Sequence, residues 1–132
     1  MKKYELSYGQ KSLFFLQKFD PSSTAYNVGI AFKSYDKVDM TRLYTAMDKL
    51  LNRHEILRTG FVNEDGKVYQ YIDEKSRYDC FVTDISGMEE DEIRQKVNHD
   101  FHRPFDLLND NLFRIYLYKK IGVKAINVVE SN

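Results

Sequence analysis

The chain has 132 residues, 42% of them apolar and 14% aromatic, which fits one globular domain and excludes an intrinsically disordered chain. Its 20 basic and 20 acidic side chains cancel, so net charge gives no reason to expect nucleic acid or an anionic membrane surface as a partner. The lone Cys80 cannot form a disulfide within the chain, and no apolar run approaches the roughly 18 residues of a membrane span, so we expect a cytoplasmic protein.

The first predicted elements are a helix and a strand. Ser7 and Gln10 have the spacing of a capping box, which predicts that a helix begins after Ser7. It ends before Asp20-Pro21, because the residue before a proline disfavours helical conformation. Residues 26–35 then alternate large and small side chains, which predicts a strand whose small face allows close packing. The large side chains are Val28, Ile30 and Phe32, and the small ones are Gly29 and Ala31.

A second helix and a hairpin follow. Asp39 is a suitable N-cap, and the apolar residues after it recur at helical spacing. Residues 57–62 and 68–72 have the composition of strands, and the Asn-Glu-Asp-Gly sequence between them is typical of a tight turn. The apolar positions of the helix are Leu43, Met47, Leu50 and Leu51.

The last third of the chain predicts a strand over residues 78–83, a third helix over 88–102 and a strand over 112–118. The third helix is acidic in its first turn, as the helix dipole favours, and Pro104 ends it. Residues 125–129 are a candidate for one more strand. This order of elements predicts an α+β fold, a mixed β-sheet with about three helices packed on it.

Residues 53–61, RHEILRTGF, carry the densest chemistry, and they resemble the RHxxLRTxF motif of condensation domains in nonribosomal peptide synthetases. Three further stretches agree with that family in order. Residues 7–16 resemble its first motif, SxAQxRLWxL, with Gly9, Ser12 and Phe14 as departures. Residues 25–27 match its Tyr-Asn entry to a strand. Residues 105–114 resemble FDLxxxPLFR, with Asn111 in place of the proline, so the resemblance covers about residues 4–118.

The resemblance implies one lobe of a two-lobed chloramphenicol-acetyltransferase-like fold with a tunnel between the lobes. Two peptidyl carrier proteins would insert their phosphopantetheine arms, and the amine of one thioester would attack the other thioester to form an amide bond. The central family motif, HHxxxDG, would be due at or beyond residue 132, and this sequence does not contain it. None of His54, His99 and His102 is followed by the required Asp-Gly.

We therefore interpret residues 1–120 as the N-terminal lobe of a condensation domain. Residues 121–132 are an atypical C-terminal tail, either an extra strand or a junction or frameshift remnant. The chain is expected to be a truncated lobe with no catalytic residue of its own, inactive when isolated, and to bind no cofactor directly. Its expected partners are peptidyl carrier protein domains and the C-terminal condensation lobe, and its exposed lobe interface predicts a homodimer.

Arg53, His54 and Arg58 are the candidate support for the missing catalytic loop. Arg53 and His54 come where the second helix ends, which favours contact with its last carbonyls over the alternative of His54 as a general base. Arg58 lies on a predicted strand and, if partly buried, needs a partner. In the family that partner is the Asp of HHxxxDG; otherwise Arg58 must find another carboxylate, turn to solvent or remain a weak point.

The remaining candidates have simpler interpretations. Ser7 and Gln10 are first a helix cap, and the resemblance adds a place on the wall of the substrate channel. His99 and His102 could share a metal, but an i, i+3 pair alone underdetermines a site, so we expect a solvated face and no metal. Cys80 is expected to be a small buried hydrophobe.

Two alternative functions remain open. The first is a docking module without catalysis, which binds a carrier protein or a separate C-terminal lobe through a basic patch such as Lys119-Lys120. The second is a small acyltransferase that uses coenzyme A, although this function also needs the catalytic histidine that the sequence lacks.

Overall fold

The computed structural model describes residues 2–75, 78–120 and 124–131, and this part of the chain contains three α-helices and two β-sheets. In chain order the elements are β1 (Lys3–Glu5), α1 (Tyr8–Phe19), β2 (Val28–Ser34), α2 (Met40–Arg53), a 3₁₀ helix (Glu55–Arg58), β3 (Thr59–Glu64), β4 (Lys67–Ile72), β5 (Asp79–Asp84), α3 (Glu90–Phe101), β6 (Phe113–Lys120) and β7 (Lys124–Ser131). The predicted α+β class is confirmed, but the strands form two sheets where one was expected, and β1 was not predicted.

The smaller sheet has the order β1-β4-β3 and is antiparallel throughout. Its β3–β4 hairpin turns at Asp65 and Gly66, whose φ angles of 53° and 83° require residues that tolerate the left-handed region. Next to the 3₁₀ helix, Gly60 pairs with Tyr71, and a Cβ at position 60 would lie 2.6 Å from the Tyr71 ring. Only glycine therefore lets this ring lie across the start of β3.

The larger sheet has the order β2-β7-β6-β5, with β5 parallel to β6 and the other pairs antiparallel. Helix α2 covers one face of β6, and α3 covers the other. The core on the α2 side contains Met47, Leu51, Phe113, Ile115 and Leu117, and the core on the α3 side contains Ile85, Ile93, Tyr116 and Tyr118. Strand β6 is therefore buried on both faces.

The predicted extra strand near the C-terminus is present as β7, which lies between β2 and β6. The interpretation of residues 121–132 as a junction or frameshift remnant remains a prediction, and Ile121–Val123 and Asn132 lie outside the described residues. Strand β7 runs antiparallel to both neighbours, and its C-terminal end, Ser131, pairs with Val28 and Phe113. This register places the end of β7 beside the beginnings of β2 and β6.

Strand β2 forms one edge of the larger sheet, and its large side chains are exposed. The expected close packing against its small face is not observed, because a cavity of about 550 Å³ lies between Gly29 and Ala31 of β2 and Ile93 and Val97 of α3. None of the described helices combines the length and apolar character needed to cross a membrane.

Candidate functional site

The four sequence segments that carry the family resemblance line one cavity of about 390 Å³. These segments are distant in sequence, so it is the fold that brings them together around the cavity. The lining residues are Gln10, Leu13, Phe14, Gln17, Tyr26, Ile56, Leu57, Thr59, Phe61, Leu107, Leu112 and Phe113.

Helix α1 forms one wall of this cavity, and a complete capping box holds its first turn. The Ser7 amide donates to Gln10 Oε1 at 2.8 Å, and the Gln10 amide donates to Ser7 Oγ at 3.1 Å. Gln10 Nε2 also donates to Gln70 Oε1 at 3.0 Å, which links the cap to β4. The predicted capping role of Ser7 and Gln10 is confirmed, and the cap fixes where Gln10 meets the cavity.

Two contacts hold the rest of α1 against its surroundings. The rings of Phe14 and Phe61 lie 5.6 Å apart in a tilted arrangement, which joins the helix to β3. The buried Gln17 donates through Nε2 to the carbonyls of Pro21 at 3.3 Å and Ser23 at 3.0 Å. The loop after α1 is thereby tied to the helix on the cavity side.

Arg58 lies in the 3₁₀ helix and not on a strand as predicted. Its partners are backbone carbonyls, which the sequence analysis did not consider. Its guanidinium donates to the carbonyls of Leu51 at 2.7 Å, Asp73 at 2.6 Å and Asn52 at 3.5 Å. Leu51 and Asn52 belong to the last turn of α2, whose carbonyls have no partner within the helix. Arg58 therefore closes the C-terminus of α2 and ties it to the end of β4.

Arg53 and His54 are exposed, and within the described residues neither side chain makes a hydrogen bond or ion pair. The His54 amide donates to the Leu50 carbonyl at 3.0 Å, so His54 ends α2 through its backbone. The predicted contact with the last carbonyls of the helix is therefore present for His54, through its backbone, but not for Arg53. The guanidinium that bonds the carbonyls of Leu51 and Asn52 belongs to Arg58.

The loop that follows Phe105 supplies a second wall of the cavity, and Asp106 organises it. Asp106 accepts from the Leu108 amide at 3.1 Å and from Asn109 Nδ2 at 2.8 Å, and its own amide donates to Asp110 Oδ2 at 2.8 Å. The hydrogen bonds that the carboxylate accepts stabilise its charged form and lower the pKa of Asp106, with the bond from the Asn109 side chain as the largest cause.

Arg114 anchors the same loop to β6 and was missed by sequence reasoning. It is only 1% exposed, and it donates to the carbonyls of Arg103 and Pro104, each at 2.8 Å. Its guanidinium lies 3.6 Å from the centre of the Phe105 ring, a cation–π contact. An arginine inside a predicted core strand was the signal for such an anchor, since a buried charge must be paired.

Outside the cavity, Asp100 of α3 is buried against β6. It accepts a hydrogen bond from the Tyr118 hydroxyl and one from Lys96 Nζ at 3.3 Å. His99 and His102 are exposed, and a ring nitrogen of His102 contacts the Asn98 carbonyl at 2.8 Å. Among the described residues no three His, Cys, Asp or Glu side chains are placed to share a metal ion.

Cys80 is partly buried and packs against the core on the α2 side, close to the expectation of a small buried hydrophobe. A hydrogen bond with Cys80 raises the pKa of Tyr44. Among the described residues that line the cavity, none is a His, Cys, Ser, Asp or Glu.

Known proteins resemble this chain over most of its length. The family profile described as the condensation domain matches residues 1–123. The chain belongs to the condensation-domain family. Bacitracin synthase 2 of Bacillus licheniformis is 37% identical over 116 residues, and surfactin synthase subunit 2 of Bacillus subtilis (strain 168) is 36% identical over 116 residues. Each alignment covers 88% of this chain but only 4% and 3%, respectively, of the relative.

Solved condensation-domain structures share the fold. A four-domain nonribosomal peptide synthetase bound to AMP and glycine has a TM-score of 0.91 at 20% identity, with all of this chain and 10% of that chain covered. The starter condensation domain of rhizomide synthetase has a TM-score of 0.88 at 19% identity, with all of this chain and 34% of that chain covered. The chain therefore corresponds to about a third of a solved condensation domain, and the expected fold is confirmed.

Proposed function

We propose that this chain forms the N-terminal lobe of a nonribosomal peptide synthetase condensation domain, with residues 1–120 as the body of that lobe. The complete domain forms an amide bond between aminoacyl or peptidyl thioesters on carrier proteins, whose phosphopantetheine arms deliver the substrates. One observation carries the proposal: the cavity of about 390 Å³ is lined by all four segments that resemble family motifs. Gln10, beside the Ser7 cap, is part of the channel wall in this proposal.

The register of β7 supports a place for the catalytic motif in this proposal. In the family HHxxxDG follows this strand, and Ser131 at its end pairs with Phe113, which lines the cavity. A motif delivered from this end would therefore reach the cavity directly. Since the 132 residues contain no HHxxxDG, the chain supplies the wall of the site and not the base.

Arg58 is the proposed support for the catalytic loop. It lines a small recess together with Phe61, Asp73 and the loop before β6, close to the position where β7 ends. A guanidinium has five N–H donors, so the three carbonyl contacts leave donors for the carboxylate of the family Asp. Arg53 and His54, exposed at the same helix end, are a secondary support of this loop.

The test is amide-bond formation by the chain alone and by the chain mixed with the purified remainder of a related condensation domain. Two loaded carrier proteins are supplied, and dipeptidyl product is measured by mass spectrometry. We expect product only from the mixture. Product from the chain alone would disprove the inactivity of the isolated lobe, and no product from a mixture that forms a complex would overturn the proposed function.

A matched pair of variants tests the role of the cavity in that mixture. Thr59→Trp fills the cavity, whereas Thr45→Trp adds the same ring on the exposed surface of α2. The two threonines are comparable because each donates to the carbonyl four residues earlier, at 3.0 and 2.9 Å. We expect product to fall with Thr59→Trp and to stay unchanged with Thr45→Trp.

The alternative is a docking module without catalysis, and the exposed apolar face of β2 favours it, because such a face binds partners. The basic patch proposed for this role is less available than expected, since Lys119 and Lys120 are both half-buried. Calorimetric titration of the chain with an acidic carrier protein distinguishes the two functions. Saturable binding that is weakened by Lys119→Gln and Lys120→Gln, together with no dipeptidyl product in any mixture, would favour the docking module over the catalytic lobe.

A further inference from the structure

The chain between α3 and the loop of Phe105 carries backbone carbonyls that helix α3 does not satisfy. The helix ends at Phe101, and the last carbonyls of a helix have no partner within it. Pro104 has no N–H and disfavours helical conformation at Arg103, so the chain cannot continue the helix here. The carbonyls of Phe101, Arg103 and Pro104 are therefore open to donors from elsewhere in the fold.

Two buried side chains from distant parts of the chain supply these donors. Asn27 donates through Nδ2 to the carbonyls of Phe101 at 3.4 Å and Arg103 at 3.2 Å. Arg114 donates through Nη1 to the Arg103 carbonyl and through Nη2 to the Pro104 carbonyl, each at 2.8 Å. A carbonyl oxygen has two lone pairs, so the Arg103 carbonyl accepts from both side chains at once.

Each of the segments tied in this way contributes a residue to the wall of the cavity of about 390 Å³. Tyr26 and Phe113 come directly before the two donors, and Leu107 comes three residues after the proline whose carbonyl is bonded. Neighbouring Cα atoms are held about 3.8 Å apart by the peptide unit, so a shift of either donor also moves the wall residue beside it. The shared Arg103 carbonyl thus couples three separate parts of the wall.

We propose that Asn27 and Arg114 are positioning residues, which set the places of Tyr26, Leu107 and Phe113 in the cavity wall through the carbonyl that they share. Neither donor lines the cavity, so each acts on a bound thioester only through the wall residues. The expected effect on amide-bond formation rests on the proposed function, whereas the effect on the wall does not.

The first test measures dipeptidyl product in the mixture of the chain with the remainder of a related condensation domain. Asn27→Ala removes the amide donor, Asn27→Asp keeps its size but turns a carboxylate toward two carbonyls, and Arg114→Lys keeps the charge but loses the two-pronged donor. We expect turnover at saturating carrier proteins to fall about ten- to a hundredfold, because a misplacement of about 1 Å can cost on the order of a hundredfold. The carrier concentration at half-maximal rate should not change, because both side chains are buried.

Combining two variants tests whether the residues act through one carbonyl. If either loss already releases the wall, the chain with both Asn27→Ala and Arg114→Lys should be little slower than the slower single variant. Two independent roles would instead multiply the two losses in turnover. Losses that multiply would overturn the shared role.

Two control variants separate positioning from a general loss of stability. Ile93→Val weakens the core on the α3 side without removing a hydrogen bond to the Arg103 carbonyl. Asn98→Ala removes the side-chain amide of an exposed asparagine on the same helix. Both should retain the turnover of the unchanged chain at a temperature where circular dichroism shows every variant folded. A loss with Ile93→Val as large as that with Asn27→Ala would assign the effect to stability and overturn the proposal.

The second test needs no product and observes the wall directly, by methyl NMR of the chain with ¹³C-labelled leucine. Asn27→Ala and Arg114→Lys should shift or broaden the resonances of Leu107 and Leu112, which line the cavity. The resonances of Leu51, in the core on the α2 side, should stay in place. Unchanged Leu107 and Leu112 resonances in both variants would overturn the proposal. If the unchanged mixture makes no product, the proposed function fails, and these resonances alone decide whether the two residues hold the wall.

Discussion

Ile115 and Ile30 are the same residue type at the same level of the same sheet. Both pair with Val129 of β7, one from β6 and the other from β2, so their side chains project from the same face. Yet Ile115 is 1% exposed and Ile30 is 58% exposed. The difference is helix α2, whose Met47 and Leu51 pack over β6 and do not extend to β2.

This comparison separates a covered region around β6 from an open region that includes β2 and the outer side of α1. In the covered region a side chain gains stability from burial and from buried polar partners. In the open region Phe15 and Phe19 of α1 are 66% and 83% exposed, so burial contributes less there and local hydrogen bonds count for more. The following predictions test that division, from the largest effect to the smallest.

Arg114→Ala should cause the largest loss, about 3–5 kcal/mol of unfolding free energy, because it removes the hydrogen bonds of a buried guanidinium to the carbonyls of Arg103 and Pro104 and empties the space over Phe105. Denaturant unfolding measures it. Arg94→Ala is the control on an exposed pair with Glu90, and it should cost at most about 1 kcal/mol. Equal losses for the two arginines would contradict the division into covered and open regions.

Ile115→Ala and Ile30→Ala test the comparison directly. Ile115→Ala should cost about 2–5 kcal/mol, since it leaves a cavity beneath α2, whereas Ile30→Ala should cost less than about 1 kcal/mol in the monomer. Both are measured by urea unfolding at low protein concentration, where self-association does not contribute. If the two losses were similar, something would cover β2 in the isolated chain.

Ser7→Ala tests the local interactions of the open region and should cost about 1 kcal/mol, because the Gln10 amide loses its capping acceptor. Thermal unfolding followed by circular dichroism at 222 nm, a wavelength that reports helix, would detect the loss. Ser12→Ala is the matched control within the same helix and should cost little, because alanine is favoured inside a helix. The Ser12 hydroxyl donates a long hydrogen bond, 3.3 Å, to the Tyr8 carbonyl. A neutral Ser7→Ala would show that α1 is held by packing alone.

Acid should have the smallest effect, through Asp106 in the loop beside the cavity. Its pKa is lowered in the folded chain from an ordinary value of 3.8, so its contribution to stability is present above about pH 4 and lost as pH falls through the folded pKa. Because Asp106 is exposed, we expect only a slight change in the free energy of unfolding. Urea unfolding between pH 5 and pH 3 should show a smaller acid dependence for Asp106→Asn than for the unchanged chain, and identical slopes would refute the assignment.

Much of the secondary structure could be predicted from the sequence, because its signals are local. The capping box at Ser7, the N-cap at Asp39 and the turn at Asp65-Gly66 each act within a few residues, and all three are observed. The motif resemblance was also readable, since it needs only order and spacing, and it led to the correct family. The 3₁₀ helix at Arg58 was missed, because the carbonyls that hold the Arg58 side chain come from α2 and the end of β4.

The sequence alone determined the α+β class, membership of the condensation-domain family and the positions of the helices and most strands, and it shows that these 132 residues contain no HHxxxDG motif. Only the tertiary structure decided that four separated motifs line one cavity, that the Arg58 side chain closes α2 in place of those of Arg53 and His54, and that β2 is left open. The physical reason is the range of the interactions. Caps and turns depend on neighbours in sequence, whereas burial and the partner of an arginine depend on which distant elements pack together.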